Sequence, residues 1–340
     1  MKTKIAINGF VRIGRIFFRH AFDHPDIDIV AINDLGALEN MAYLLKNDTV
    51  YGPYDRNVKC QMSNVKNALV VDGKEIRVLQ EKDPLKLPWK ELKIDIVVES
   101  TGIFESHEKA SPHLTAGAKR VVITAPAKDE ITPTSTPNVG EEFLKLDKIT
   151  SNASCTTNAA TPIMAVMSEN PGIKKAVLNT VHAYTASQGI VDGPDKKDDY
   201  RRARAAGQNI IPSTTGAAIA ATKALPSLKG KFDGIALRVP VVCGSIIDFT
   251  FIASRPTSVE EINSIFKKAA AEKQWQGILA ITEEPLVSSD ILKNPHGSVV
   301  DLLMTKVIDG DLVKVLAWYD NEWGYVSTLL KHVLAVSKLL

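Results

Sequence analysis

The residue with the clearest chemical potential is Cys155, in the run Ser-Asn-Ala-Ser-Cys-Thr-Thr-Asn at 151–158. The apolar stretch from Asn158 to Ser168 predicts a buried helix directly after the thiol. Unpaired N–H groups at a helix N-terminus lower the pKa of a nearby cysteine and favour the thiolate. A free cysteine is also commonly just a small buried apolar residue. The polar residues before Cys155 favour the reactive interpretation, so we predict a nucleophile.

A second motif lies between a predicted strand and a predicted helix near the N-terminus. Residues 8–14 read Asn-Gly-Phe-Val-Arg-Ile-Gly, and Asp34 ends the next predicted strand. This arrangement is typical of dinucleotide binding, with pyrophosphate at the helix N-terminus and the acid on the adenosine ribose. Val11 stands where the second glycine belongs, so an ordinary strand-to-helix turn is the alternative. The carboxylate of Asp34 repels a 2′-phosphate, which predicts NAD rather than NADP.

A nicotinamide cofactor and a nucleophilic cysteine together predict the oxidation of an aldehyde. Sulfur adds to the aldehyde, hydride leaves the tetrahedral carbon, and a thioester remains on the cysteine. Such chemistry needs a base, and His182 ends an apolar predicted strand. A lone histidine in that position is more often a core residue, but the presence of Cys155 favours a catalytic role.

Composition restricts the other classes of function. A chain of 340 residues, 45% hydrophobic and 24% charged, is typical of a globular protein with two domains. With 41 basic and 39 acidic residues, the chain has no overall field for nucleic acid or anionic lipid, and neither partner is expected. Three widely spaced cysteines without metal-ligand spacing predict a reducing cytoplasm and no metal site. Because the sequence has no long apolar run, we expect no leader and no membrane span.

The pattern of predicted elements changes at about Cys155. The preceding part alternates strands, at 4–8, 27–33, 68–71, 76–79, 94–99 and 121–124, with helices at 12–22 and 39–45. This alternation predicts a doubly wound parallel sheet. Longer strands follow at 176–184, 232–239 and 246–253, which predict a mixed or antiparallel sheet in a second domain. Helices are predicted at 259–273, after the cap Ser258, and at 324–340, and the long polar loop at 187–210 is expected to be functional.

Nearly from end to end, these motifs resemble the phosphorylating glyceraldehyde-3-phosphate dehydrogenase family. The matching segments are 8–15, 33–35, 99–102, 123–126, 151–158, 182–185, 201–204, 213–218, 237–240 and 318–325. The resemblance implies an α/β fold with a Rossmann-type NAD-binding domain at 1–154, joined by a C-terminal helix at 320–340. It also implies an α+β catalytic domain at 155–319 and a homotetramer.

The resemblance further implies roles for individual residues. Cys155 would be the nucleophile, and His182 would activate the thiol and accept the proton during hydride transfer. Substrate phosphate and inorganic phosphate would be bound by Ser154, Thr156, Thr185, Arg202, Thr215, Gly216 and Arg238. NAD would be bound by Gly9, Arg12, Ile13, Asp34, Lys82, Thr124 and Asn321, the last through its carboxamide. Two guanidinium groups with hydroxyl and amide donors can bind phosphate without any overall positive charge, although a surface ion pair is the alternative for each arginine.

The sequence departs from the family pattern at Val11, at Ser187, where aspartate is common, and at Gly193, where a bulkier residue is usual. The prediction is reversible oxidative phosphorylation of D-glyceraldehyde 3-phosphate by NAD to 1,3-bisphosphoglycerate, within cytoplasmic glycolysis or gluconeogenesis. One alternative is an erythrose-4-phosphate dehydrogenase, which the segment 214–218 disfavours. The other is a non-catalytic, redox-sensing NAD-fold protein, which the joint presence of Cys155 and His182 disfavours.

Overall fold

The computed structural model describes residues 2–62, 67–194 and 199–340. The chain forms two compact units, the first made of Met1–Ser135, Glu141–Ala153 and Leu329–Leu340, and the second of Thr136–Gly140 and Ser154–Thr328. This division is based on compactness alone. The domain limits predicted from the sequence, at 154/155 and 319/320, therefore stay a prediction.

The first unit is built on one sheet of eight described strands. These strands are β1 (Thr3–Asn8), β2 (Ile27–Asn33), β3 (Val58–Gln61), β4 (Asn67–Val71), β5 (Lys74–Leu79), β6 (Ile96–Glu99), β7 (Arg120–Ile123) and β8 (Ile149–Ser151). Its helices are α1 (Arg12–Ala21), α2 (Leu38–Lys46), α3 (Trp89–Leu92) and α4 (His107–Thr115). The spatial order of the strands is β3-β4-β5-β2-β1-β6-β7-β8.

From β5 to β8 all neighbouring strands are parallel, as predicted. Strand order reverses at β1, whose neighbours are β2 and β6, so the carboxyl end of β1 is the switch point at which such sheets bind ligands. Asn8, at this end of β1, pairs in register with Glu99 of β6. Strand β3 was not predicted. Strands β3, β4 and β5 pair antiparallel, so an antiparallel edge adjoins the parallel part of the sheet, which was not predicted either.

The second unit contains a seven-stranded sheet among its described residues. Its strands are β9 (Ile173–Ala183), β10 (Ile211–Thr214), β11 (Phe232–Val239), β12 (Ser245–Ala253), β13 (Leu279–Thr282), β14 (Ser298–Ile308) and β15 (Leu312–Tyr319). The helices are α5 (Cys155–Glu169), α6 (Ala217–Ala224), α7 (Val259–Ala271) and the start of α8 (Trp323–Ser337), which continues into the first unit. The strand order is β10-β11-β9-β12-β15-β14-β13.

This second sheet is mixed, which confirms the predicted fold class. The β11–β9 and β13–β14 pairs are parallel, and the remaining pairs are antiparallel. Strand β12 buries every second residue, including Ile247, Phe249 and Phe251, as expected for a sheet with one face in the core. These residues belong to one apolar cluster with Ile163 of α5 and Phe266 of α7. The described helices therefore cover one face of the sheet.

Two histidines of the first unit lie partly or fully in its interior. His20 is partly buried, and burial lowers its pKa to about 4. His113 is fully buried in α4, where its Nδ1 accepts a hydrogen bond from Trp89 Nε1 at 3.0 Å. That bond leaves the proton on Nε2, which donates to the buried carboxylate of Glu99 at 3.1 Å.

No helix in the described part of the chain is long and apolar enough to cross a membrane.

Candidate active site

Helix α5 begins at Cys155 itself, so the thiol lies in the first turn, as predicted. Ser154 is the N-cap, and its hydroxyl accepts a hydrogen bond from the Thr157 N–H at 3.1 Å. The preceding residue, Ala153, has a φ of 55°, which turns the chain sharply between strand β8 and the helix. The small residues around Cys155 therefore serve a tight turn and a cap as well as access to the sulfur.

His182 lies at the end of β9 with its ring next to the thiol. Its Nε2 is 3.3 Å from Cys155 Sγ, and the imidazole is 3% exposed. On the other side of the ring, Nδ1 is 2.6 Å from the carbonyl oxygen of Ala183 and 2.6 Å from Nη1 of Arg238. When Nδ1–H donates to Ala183, Nε2 presents a lone pair to the thiol; when Nδ1 accepts from Arg238, Nε2–H faces the sulfur. The pair thus has one tautomer that removes a proton from sulfur and one that stabilises a thiolate.

The electrostatics of this pair differ from the simple expectation for a helix N-terminus. Burial, and then the guanidinium of Arg238, lower the pKa of His182 to about 3, so its imidazole is neutral at ordinary pH. Burial raises the pKa of the Cys155 thiol, while Arg238 and the N–H and hydroxyl of Thr156 oppose that rise. The predicted lowering of the cysteine pKa is therefore wrong for the resting site. Burial of the thiol raises its pKa by more than the neighbouring donors and charge lower it. In the resting site Cys155 is therefore a thiol, and Nε2 of His182 lies 3.3 Å from its sulfur.

Arg238 reaches the same site from the neighbouring strand. Strands β11 and β9 are parallel, and their register sets Arg238 directly beside His182. Nη1 also donates to the Ala183 carbonyl at 3.1 Å, whereas the buried Nε has no partner among the described residues. A buried guanidinium donor without a protein acceptor is a site for an anionic ligand.

Arg202 belongs to a second group of predicted anion ligands. Its Nε donates to Ser213 Oγ at 3.0 Å, which ties the arginine to strand β10. Thr215 and Gly216 follow β10 directly, and Gly216 is the N-cap of α6. The positive charge of Arg202 contributes to the lowered pKa of His182, which places it within electrostatic range of the catalytic pair. Both arginines therefore contribute positive charge near His182, and Arg202 also pairs with Asp199 at 3.5 Å.

Tyr319, which was not among the predicted site residues, packs against His182. Its hydroxyl bonds to Thr156 Oγ1 at 2.9 Å and to Thr180 Oγ1 at 2.8 Å, and its ring meets that of His182 edge to face at 5.9 Å. The Thr156 hydroxyl, predicted to bind phosphate, thus has a protein partner, as does that of Ser154. Along β15 every second residue is buried, and this period of two places the Tyr319 side chain in the core. Alternating apolar residues in 312–319 were the sequence feature that could have predicted this.

Thr185 and Asn321 also lie in this unit. The Thr185 hydroxyl is 2.9 Å from the hydroxyl of Ser187, so the departure at Ser187 touches a predicted phosphate ligand. Asn321 follows β15, is 5% exposed, and accepts hydrogen bonds from the Gly244 N–H at 3.1 Å and the Ser245 hydroxyl at 2.9 Å.

In the first unit, the turn after β1 has the features of a pyrophosphate site. Gly9 has a φ of +94°, and a Cβ there would lie 2.7 Å from Thr101 N, so only glycine fits. Val11, the N-cap of α1, has φ −78° and is half exposed, so this position needs no glycine for its backbone. The Val11 side chain makes no capping hydrogen bond to α1, and a helix N-terminus after a glycine turn favours a phosphate group.

The carboxylate of Asp34 holds the two neighbouring loops. It accepts from the Phe10 N–H at 2.6 Å and from the Gly36 N–H at 2.8 Å. These bonds fix the acid at the end of β2, where each oxygen retains a lone pair for ribose hydroxyls.

The remaining predicted cofactor ligands of the first unit have different surroundings. The Arg12 side chain pairs with Asp48 and stacks on Tyr51, so only its main chain could take the predicted role. The Thr124 hydroxyl donates to the Glu99 carbonyl at 3.0 Å, and Lys82 is exposed.

Comparison with known proteins gives the same assignment for both halves of the chain. Residues 3–107 match the family model described as glyceraldehyde 3-phosphate dehydrogenase, NAD binding domain, and residues 154–321 match its C-terminal domain. A glyceraldehyde-3-phosphate dehydrogenase of Geobacillus stearothermophilus is 50% identical over 96% of this chain and 95% of its own. The enzyme of that name from Zymomonas mobilis is 47% identical over all of both chains, and glyceraldehyde-3-phosphate dehydrogenase 2 of Bacillus subtilis is 48% identical over 99% and 98%.

Proposed function

The chain belongs to the glyceraldehyde-3-phosphate dehydrogenase family, and we propose that Cys155 and His182 carry out its reaction. It is an NAD-dependent oxidoreductase that converts glyceraldehyde 3-phosphate and inorganic phosphate to 1,3-bisphosphoglycerate in glycolysis. The observation that carries the residue assignment is the 3.3 Å approach of Nε2 to Sγ, with a neutral imidazole. The relatives reported above share the glyceraldehyde 3-phosphate name, and the erythrose 4-phosphate alternative is not favoured.

The catalytic pair supports attack and proton transfer in one step. As Sγ bonds to the aldehyde carbon, the thiol proton passes through Nε2 of His182 to the aldehyde oxygen, which becomes a hydroxyl, and the imidazole is neutral again. When hydride leaves that carbon, the hydroxyl proton goes to the imidazole and a thioester remains on Cys155. An oxygen of inorganic phosphate then attacks the thioester, the C–S bond breaks, and sulfur departs as the thiolate with the acyl phosphate as product.

The residues at the end of β1 fit NAD. The N-terminus of α1 after the turn at Gly9 suits a pyrophosphate, and the Asp34 carboxylate at the end of β2 suits ribose hydroxyls and repels a 2′-phosphate. NAD, when bound, supplies the acceptor for the hydride. We assign Gly9, Arg12, Ile13 and Asp34 to its binding, together with Lys82, Thr124 and Asn321.

The arginines supply the charge for two phosphate groups. Arg238 offers a buried Nε donor, and Arg202 lies next to the N-terminus of α6 with Thr215 and Gly216. A charge-assisted hydrogen bond to phosphate is about twice as strong as a neutral one. We therefore assign Ser154, Thr156 and Thr185 to weaker, orienting contacts around the two guanidinium groups.

The experiment that tests the function follows NAD reduction with glyceraldehyde 3-phosphate, with and without inorganic phosphate. With phosphate we expect continuous turnover. Without phosphate we expect a burst of about one NADH per active site, because the thioester has no acceptor. A protein that binds the aldehyde and never reduces NAD contradicts the enzyme assignment, whereas equal rates with and without phosphate contradict only its phosphorylating part.

Replacing Arg202 should weaken the binding of phosphate groups and leave NAD binding unchanged. For Arg202→Met we expect the KM of inorganic phosphate or of glyceraldehyde 3-phosphate to rise about 10- to 100-fold, because a hydrogen bond to a charged group contributes about 1.5–3 kcal/mol. Steady-state kinetics with each substrate varied in turn measures this. The matched control is Arg204→Met, which removes an exposed guanidinium bonded to Asp192. Equal effects of the two substitutions would contradict the assignment.

We also propose a cytoplasmic homotetramer. Cys60, Cys155 and Cys243 are all free thiols, which suits a reducing compartment. The second sheet carries apolar side chains that are about half exposed, namely Val177 at 52%, Ile235 at 53% and Leu303 at 51%, and such a face suits association with further copies. Light scattering should give about four times the 37.0 kDa of one chain; a monomeric mass contradicts the tetramer.

A further inference from the structure

The amide of Asn321 is held in one orientation by the turn that precedes β12. Its Oδ1 accepts from the Gly244 N–H at 3.1 Å, from the Ser245 hydroxyl at 2.9 Å and from the Cys243 thiol at 3.7 Å. A backbone N–H can only donate, so the side-chain atom that faces Gly244 has to be the oxygen. The Nδ2 group, with its two N–H donors, therefore points away from this turn.

Ser245 connects this amide to the strand that carries the base. Its hydroxyl accepts from the Ala183 N–H at 3.1 Å, and this leaves the hydroxyl proton for Asn321. Ser245 is 1% exposed, so water does not compete for either bond. A chain of polar contacts runs from Asn321 through Ser245 to Ala183, whose carbonyl in turn holds Nδ1 of His182.

The Nδ2 group of Asn321 can donate hydrogen bonds to an acceptor outside the described residues. The side chain is 5% exposed, and Nδ2 has no partner in the described part of the chain. Nδ2 is not one of the buried side-chain atoms that lack a partner, so it lies in accessible space and can donate to a ligand without losing a protein contact. Its two N–H groups match a carbonyl oxygen, and the adjoining polar chain leads to the catalytic histidine. A carboxamide oxygen on the cofactor's reactive ring has this chemistry.

We propose that Ser245 is a positioning residue for the cofactor: its hydroxyl fixes the Asn321 amide so that Nδ2 donates to the nicotinamide carboxamide. The proposal rests on the proposed function. The same hydroxyl holds the Ala183 main chain, so Ser245 ties the donor for the nicotinamide to the end of the strand that carries His182. Ser245 itself touches neither the cofactor nor the reacting atoms.

The test compares binding of NAD with binding of ADP-ribose, which lacks the nicotinamide ring, by calorimetry. For Ser245→Ala we expect the Kd of NAD to rise about three- to tenfold, the size of one neutral hydrogen bond, and that of ADP-ribose to stay unchanged. A purely structural role for the hydroxyl would weaken both ligands equally. Equal weakening, or an unchanged Kd for NAD, overturns the proposal.

A double-mutant cycle with Asn321→Ala identifies the partner. Once the amide is removed, Ser245→Ala should change the ratio of the two dissociation constants no further, whereas a fully additive change overturns the proposal. Ser245→Cys, which keeps the volume and a weak donor, serves if the alanine variant does not fold, and its loss should be smaller than that expected for alanine. The matched control, Thr250→Ala, removes a hydroxyl bonded to Asp248 on the same strand and should leave the ratio unchanged.

The proposed function and this inference fail in different ways. Wild-type protein that reduces no NAD with glyceraldehyde 3-phosphate contradicts the function. Wild-type protein with normal turnover, combined with an unchanged ratio in Ser245→Ala, contradicts only the role of Ser245.

Discussion

Replacing Cys155 with serine should lower kcat at least about 10⁴-fold, the size of effect seen when a nucleophile is removed. A serine hydroxyl is a far weaker acid than a thiol, so loss of its proton to His182 is much less favourable than for Cys155. Steady-state NAD reduction with glyceraldehyde 3-phosphate and phosphate measures kcat. The burst of NADH without phosphate should disappear as well, because no thioester can form.

The matched control for this prediction is Cys60→Ser. Cys60 is exposed in the first unit, where its thiol contacts only the Leu38 carbonyl among the described residues, at 3.7 Å. We expect this variant to keep wild-type kcat and burst. If Cys155→Ser retained more than about 1% of wild-type turnover, the covalent mechanism would be wrong.

Replacing His182 with asparagine should lower kcat about 10²- to 10⁴-fold, the usual contribution of general base catalysis. The burial of Cys155 raises its thiol pKa, so the thiol depends on Nε2 to take its proton. The rate at which iodoacetamide alkylates Cys155 should fall as well, and it reports on the sulfur without any substrate. The Kd of NAD should not change, because the assigned NAD ligands do not include His182.

The pH dependence tests the same assignment with an unmodified active site. A base acts when it is unprotonated, that is, above its pKa, and the lowered pKa of His182 therefore extends its useful range toward acid. Between about pH 5 and 8, where an ordinary histidine titrates, alkylation of Cys155 should show no inflection from His182. An inflection in that range that His182→Asn abolishes would contradict the lowered pKa. His107→Asn, which removes a partly exposed histidine paired with Asp147, is the control.

Local sequence was enough for much of the fold. The strand at 232–239 was predicted with its observed bounds, and the helix after Cys155 and the alternating strands and helices of the first unit were confirmed. These elements have strong apolar periodicity, which depends only on near neighbours in the chain. Strands β10, β13, β14 and β15 were not predicted. The edge strand β3 and helices α4 and α6 were also missed, because short polar or alanine-rich segments take their structure from the surfaces they pack on.

By itself the sequence determined the kind of chemistry: a thiol at a helix start, a glycine turn followed by an acid, and a histidine at a strand end each depend on a few adjacent residues. Only the tertiary structure decided how these groups work. Burial reversed the expected direction of the Cys155 pKa, the register between β9 and β11 set Arg238 against His182, and Tyr319 and Ser245 joined the site from distant strands. Desolvation and strand register arise from contacts between residues far apart in the chain, and no local pattern encodes them.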